Sequence, residues 1–159
     1  MPRIEHRQGF ATMTRTEGRT LSGIAVPYNS LSHVLEDRAR PYRERFVRGA
    51  LEYSAQTVML YGHDMGGVPL ASVRGQTLRF EESDEGLRFS VDLPESRADI
   101  SEALERGDLD GSVSIGFIAR DDEWNNRTNP SVRTVRGAQL VELSIVQAGA
   151  YASAGGTLQ

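Results

Sequence analysis

A hydroxyl, an imidazole and a carboxylate, each set in a short apolar stretch, are the chemistry this chain offers. Ser112 and Ser114 lie in Gly111-Ser112-Val113-Ser114-Ile115-Gly116-Phe117. His63 closes Leu60-Tyr61-Gly62-His63-Asp64, and Glu142 sits within Leu140-Val141-Glu142-Leu143-Ser144-Ile145-Val146. A serine hydroxyl is a weak nucleophile until an adjacent base takes its proton. Imidazole can do this near neutral pH. An acid on the far ring nitrogen fixes the tautomer and stabilises the imidazolium. The order His, Ser, acid along the chain is no obstacle, because such sets are defined by geometry.

Each residue also has an ordinary reading. Strand alternation puts Val113, Ile115 and Phe117 on one face and Ser112, Ser114 and Gly116 on the other. The serine face could simply meet solvent. Alternation does not separate Ser112 from Ser114. His63 falls at the end of a predicted strand, Thr57 to Tyr61, where a rigid sheet can position a catalytic group. Its plain alternative is a structural histidine capped by Asp64. Glu142 interrupts an apolar strand, and a buried carboxylate must find a partner. His6, in the polar arm, reads as a solvated side chain, and His33, in the segment over 30–45, is not expected to carry chemistry.

The elements that must position these groups are mostly strands. Leu21 to Asn29, stopping at Pro27 and Asn29, Val68 to Val73, Leu78 to Glu81 and Leu87 to Leu93 carry strand patterns, with a tight turn at Ser83-Asp84-Glu85-Gly86. Residues 132–135 and 138–147 predict two more. One helix is expected, about 97–106, with Ser96 as N-cap and Gly107 as its stop. Residues 44–51 fit a short helix or turn. Residues 30–45 and 121–130 lack a period and predict mobile loops, Trp124 being read as a lid. The domain plan is an arm over 1–19 that is mobile or pairs with a sheet edge, a domain over 20–152, and a flexible tail over 153–159. The fold class is mainly β with α: a compact antiparallel β-barrel of about six to eight strands with one main helix.

Composition narrows the function. The net charge of −4 argues against a nucleic-acid surface. No apolar run is long enough for a membrane span, and the first twenty residues do not read as a secretory signal. Cysteine is absent, which removes disulfides and a thiolate nucleophile. Every basic residue is Arg, so a lysine base is excluded. A metal-dependent hydrolase using His63, Asp64 and Glu142 is disfavoured by the scarcity of histidine, and no cofactor or metal is expected.

From Gly23 to Tyr151 the chain resembles the prohead (capsid maturation) serine proteases of tailed phages. The resemblance is carried by Gly23-Ile24-Ala25-Val26-Pro27-Tyr28-Asn29, Arg43-Glu44-Arg45-Phe46-Val47-Arg48-Gly49-Ala50-Leu51 and Leu60-Tyr61-Gly62-His63-Asp64. It continues in Glu85-Gly86-Leu87, Val113-Ser114-Ile115-Gly116-Phe117 and Leu140 to Val146, then Ala150-Tyr151. Two departures are Gly149, where the family often has Pro, and Val146-Gln147-Ala148, where an apolar-Thr pair is usual. The resemblance implies a fold similar to the herpesvirus assemblin proteases. It also implies His63 as general base and Ser114 as nucleophile, with Ser112 as second choice. Glu142 takes the orienting role where the herpesvirus relatives have a second His. Gly116, through the backbone near it, or Arg120 would contribute to the oxyanion site. The implied substrates are phage major capsid protein and scaffold segments, and the chain itself, cleaved inside the assembling procapsid in the host cytoplasm. A homodimer is the assembly the herpesvirus likeness suggests. The competing reading is a catalytically silent β-barrel acting as a capsid assembly or scaffold partner.

Overall fold

A computed structural model describes residues 2–12, 14–37 and 40–147. The predicted tail over 153–159, the end of the predicted domain and the Ala150-Tyr151 motif lie outside the described residues. In chain order the strands are β1 (Glu5–Thr12), β2 (Thr14–Glu17), β3 (Thr20–Pro27), β4 (Leu35–Asp37), β5 (Arg40–Phe46) and β6 (Leu51–Glu52). They continue with β7 (Val58–Tyr61), β8 (Ala71–Ser72), β9 (Leu78–Glu82), β10 (Gly86–Asp92), β11 (Ser112–Asn125) and β12 (Ser131–Ile145). The helix α1 (Ala98–Arg106) follows a single 3-10 turn at Glu95–Arg97. The fold is mainly β with one short helix, as expected: a curled half-barrel sheet and a second sheet.

The larger sheet is organised on β12. β11 pairs with it antiparallel along one side, and β1 pairs antiparallel with the outer edge of β11. On its other side β12 meets β5, β6 and β7 in turn, all parallel. The expected antiparallel barrel is therefore corrected to a mixed sheet. The strand number is also higher than expected, because the run from 40 to 61 is cut into short pieces laid along one long strand. The second sheet has the order β2-β3-β10-β9. Leu21, Leu87, Phe89 and Val91 of this sheet and Ile115, Phe117, Leu143 and Ile145 of the first belong to one buried core.

Three expectations about loops are revised. Residues 40–46 form a strand whose inward residues are Tyr42, Glu44 and Phe46. A buried glutamate broke the apolar alternation by which a strand is recognised. Residues 121–125 continue β11 and pair with 132–137 of β12, so one long hairpin replaces three predicted strands and the loop among them. Its remaining turn carries a cis Asn129-Pro130 bond. Trp124 is no lid: its ring lies 5.1 Å from that of Tyr42, with the Arg40 and Arg133 guanidinium groups over it. Within the predicted arm, residues 5–12 pair with the edge of β11.

The helix stops at Gly107, whose φ of 83° favours a residue without Cβ. Its N-cap is Arg97, without a side-chain cap, rather than Ser96, which falls inside the 3-10 turn.

Candidate active site

Three neighbouring strands deliver the three chemical groups. β12 is central and carries Glu142. Gly116 of β11 lies opposite Glu142, and Ser114 lies opposite Ser144. On the other side, β7 pairs Val58 with Glu142 and Tyr61 with Ile145, then ends at Gly62 and His63. The serine face of β11 is turned inward, against the solvent-facing alternative: Ser114 is 2 % exposed and Ser112 is also buried.

His63 reaches the other two through an unusual backbone. Gly62 and His63 have φ of 61° and 60°. Glycine adopts this conformation freely, whereas a residue with a Cβ is strained by about 1–2 kcal/mol. Two hydrogen bonds hold the turn. The Gly62 N–H donates to the Ile145 carbonyl at 2.9 Å, and the His63 N–H donates to Ser144 Oγ at 2.9 Å. The imidazole is thereby laid across the sheet instead of continuing the strand.

The polar contacts form a chain. Ser114 Oγ lies 2.9 Å from His63 Nε2, and His63 Nδ1 is hydrogen-bonded to Glu142 Oε1. The Ser144 hydroxyl donates to Glu142 Oε2 at 2.7 Å. Glu142 is 0 % exposed, so its charge requires these donors. With an acceptor-only carboxylate at Glu142, His63 Nδ1 would donate and Nε2 would be the nitrogen facing the Ser114 hydroxyl. Gly116 makes room for the carboxylate. A Cβ at this position would lie 2.7 Å from Glu142 Oε1.

His63, Ser114 and Glu142 are thus brought together. The other sequence candidates are not. Ser112 lies one pleat further along β11, about 7 Å away, and its N–H is held by the Asp110 side chain at 2.9 Å. Gly116 lies inside the sheet, between His6 of β1 and Glu142 of β12. A strand flanked on both edges spends its amides on ladders, so the place of Gly116 is steric. Arg120 is six residues along β11 from Ser114, about 20 Å, and donates to Gln139 Oε1 at 2.7 Å. Asp64 turns away from the ring to accept the Gly66 N–H at 3.0 Å.

Two residues of the site were missed. Ser144 shares a face of β12 with Glu142, and that alternation was the available signal. His6 was read as solvated. Its ring centroid lies 4.0 Å from that of His63, and its Nε2 lies 3.8 Å from Glu142 Oε1. Its pKa is lowered by partial burial and by the neighbouring His63, with Glu142 acting in the opposite sense. No local signal could have placed His6, because the contact depends on β1 pairing with a strand more than a hundred residues away.

The arrangement suits acyl transfer: a buried hydroxyl, a base on it, and an acid behind the base. Against protein-family models, the caudovirus prohead serine protease family matches residues 8–157. The chain belongs to that family. It is a serine endopeptidase of the kind that acts in phage capsid maturation. No curated protein and no solved structure matches it. Among the described residues of this family member, no helix is long and apolar enough to cross a membrane.

Proposed function

We propose that the protease cleaves peptide bonds by a Ser-His-Glu mechanism with Ser114 as nucleophile. The observation that carries this reading is the unbroken contact chain from Ser114 through His63 to Glu142. Ser114 Oγ attacks the scissile carbonyl carbon while its proton passes to His63 Nε2. The tetrahedral intermediate collapses, the proton is handed to the leaving amine, and an acyl-serine remains. Water, deprotonated by the same nitrogen, releases the acid. Glu142 stays ionised throughout, holds Nδ1–H and stabilises the imidazolium that forms twice in each cycle. Ser144 supports Glu142 from the other oxygen.

The substrates proposed are segments of the major capsid protein, scaffold segments and the chain itself, cut inside the procapsid. Family membership supports the capsid substrates, and a homodimer is proposed on the herpesvirus-like fold that the family resemblance implies.

Fluorophosphonate labelling followed by peptide mass spectrometry tests the mechanism. Label is expected on Ser114, absent in Ser114→Ala and His63→Ala, and retained in Ser112→Ala. Label on Ser112, or label indifferent to His63, would reject it. Wild-type protein that stays unlabelled even when co-expressed with capsid protein would favour the silent scaffold.

A further inference from the structure

β1 brings a second imidazole to the site, and acyl transfer as written has no use for it. His6 lies opposite Gly116, which lies opposite Glu142 on the next strand. Its neighbours pin it there. Arg7 Nε donates to Glu44 Oε1 at 2.7 Å, and Glu5 Oε1 accepts from Arg133 Nη1 at 2.8 Å. One nitrogen from each of His6 and His63 and one oxygen of Glu142 all lie within 4.8 Å of one another.

Two imidazoles and a carboxylate are a donor set that zinc accepts while leaving a fourth position open. Bonds of about 2.0–2.2 Å place the donors of a tetrahedral site roughly 3.4 Å apart. The His6 to Glu142 edge, at 3.8 Å, is already close to this. The His63 to Glu142 edge is at hydrogen-bond contact and opens as a metal ion takes the place of the shared proton. His6 is half-exposed, which supplies a path from solvent and the open position.

We propose that His6, His63 and Glu142 form a site for zinc or another borderline transition-metal ion, and that its occupancy switches the protease off. In the free protein His63 carries its proton on Nδ1 and offers Nε2 to Ser114. A metal ion on Nδ1 leaves the neutral ring with its proton on Nε2. That nitrogen then donates and cannot accept from the serine, so the base is lost with no net change in the proton count of the ring. Hard cations such as magnesium, which favour oxygen ligands, should not occupy the site. The binding half of the proposal rests on the three side chains alone; the switching half rests on Ser114 and His63 acting as proposed above.

Calorimetric titration of zinc into Ser114→Ala measures binding without turnover. One zinc per chain is expected, with no heat from magnesium over the same range. The chain has three histidines, so His33→Ala in the same background is the control and should leave the affinity unchanged. His6→Ala should weaken it by about tenfold or more. His6→Phe, which keeps a ring against His63 but removes the donor, should do the same if the alanine variant folds poorly. Zinc affinity unchanged in both His6 variants, or no binding at about 1 mM zinc, would overturn the site. In the wild type, zinc should slow fluorophosphonate labelling and a chelator should restore it. Labelling at full rate under saturating zinc would overturn the switch. A zinc isotherm sensitive to His6, in a protein that never labels, would uphold the site and count against the serine mechanism instead.

Discussion

The β11–β12 hairpin buries a carboxylate near each end, and the two are neutralised in different ways. At one end Glu44 of β5, 3 % exposed, is held by two arginines. Arg7 Nε and Arg133 Nη1 donate to it at 2.7 and 3.1 Å. Glu5 and Asp122 complete the network through Arg133. At the other end Glu142 is held by an imidazole and a hydroxyl. Guanidinium keeps its charge at any pH a protein survives, and in this network the Arg133 pKa is raised further by its acidic partners despite the burial that opposes them. The Glu44 cluster is therefore fixed in charge and joins β1, β5, β11 and β12. The Glu142 cluster instead rests on an imidazole and a hydroxyl, neither of which carries a permanent charge. The same need, a partner for a buried acid, is met once by a permanent charge and once by a titratable one, and the second can do acid–base chemistry.

Swapping each acid for its amide should separate the two most sharply. Glu142→Gln is expected to lower kcat by about 10⁴-fold, because the amide favours the wrong His63 tautomer, with a modest change in Tm. Glu44→Gln should do the reverse. Breaking a buried pair by removing one partner destabilises by about 3–5 kcal/mol, while kcat per folded molecule stays near wild type. Urea unfolding and active-site titration of both variants would measure this. Equal activity losses in the two would end the distinction.

Gly116→Ala is the next largest effect. The new methyl contacts Glu142 Oε1 within 2.7 Å, so the carboxylate must shift. Activity should fall by about 10²-fold, with a stability loss of about 1–3 kcal/mol. Ser144→Ala removes one donor from the buried carboxylate and should cost about 1–3 kcal/mol of stability, with roughly a tenfold fall in kcat. The smallest effect concerns His6. Its folded-state pKa lies below its ordinary value, so the unfolded chain binds this proton more readily. Stability is intact above the ordinary histidine pKa and declines as pH falls through it toward the lowered folded value. A Tm series across this range should show a drop that is shallower in His6→Phe.

What was readable in the sequence follows the same division. Strands with apolar alternation, such as β3 and β10, were found because burial of one face leaves a period of two. His63, Glu142 and the Ser112/Ser114 pair could be singled out because a titratable or nucleophilic group beside an apolar stretch stands out, whereas the preference for Ser114 came from the family resemblance. The strands at the Glu44 end were lost for the opposite reason. Glu44 and Arg133 point inward, and inward charges imitate a loop unless their partners are known. Those partners lie 37 and 89 residues from Glu44, beyond any local reading. The parallel pairing of β5, β6 and β7 with β12 was equally hidden, since register across such distances leaves no local mark. His6 was missed because its environment is made wholly by other segments.

The central position of β12 has a consequence for the order of events during synthesis. Its partners β5, β6, β7 and β11 all precede it in the chain, and it brings the acid. As the chain leaves the ribosome, the large sheet has no seam on which to close until this strand appears. Its contacts span long sequence separations, which slows folding. His63 and Ser114 are translated before Glu142. On the proposed mechanism, a nascent chain has no working protease to turn on its neighbours until this sheet closes.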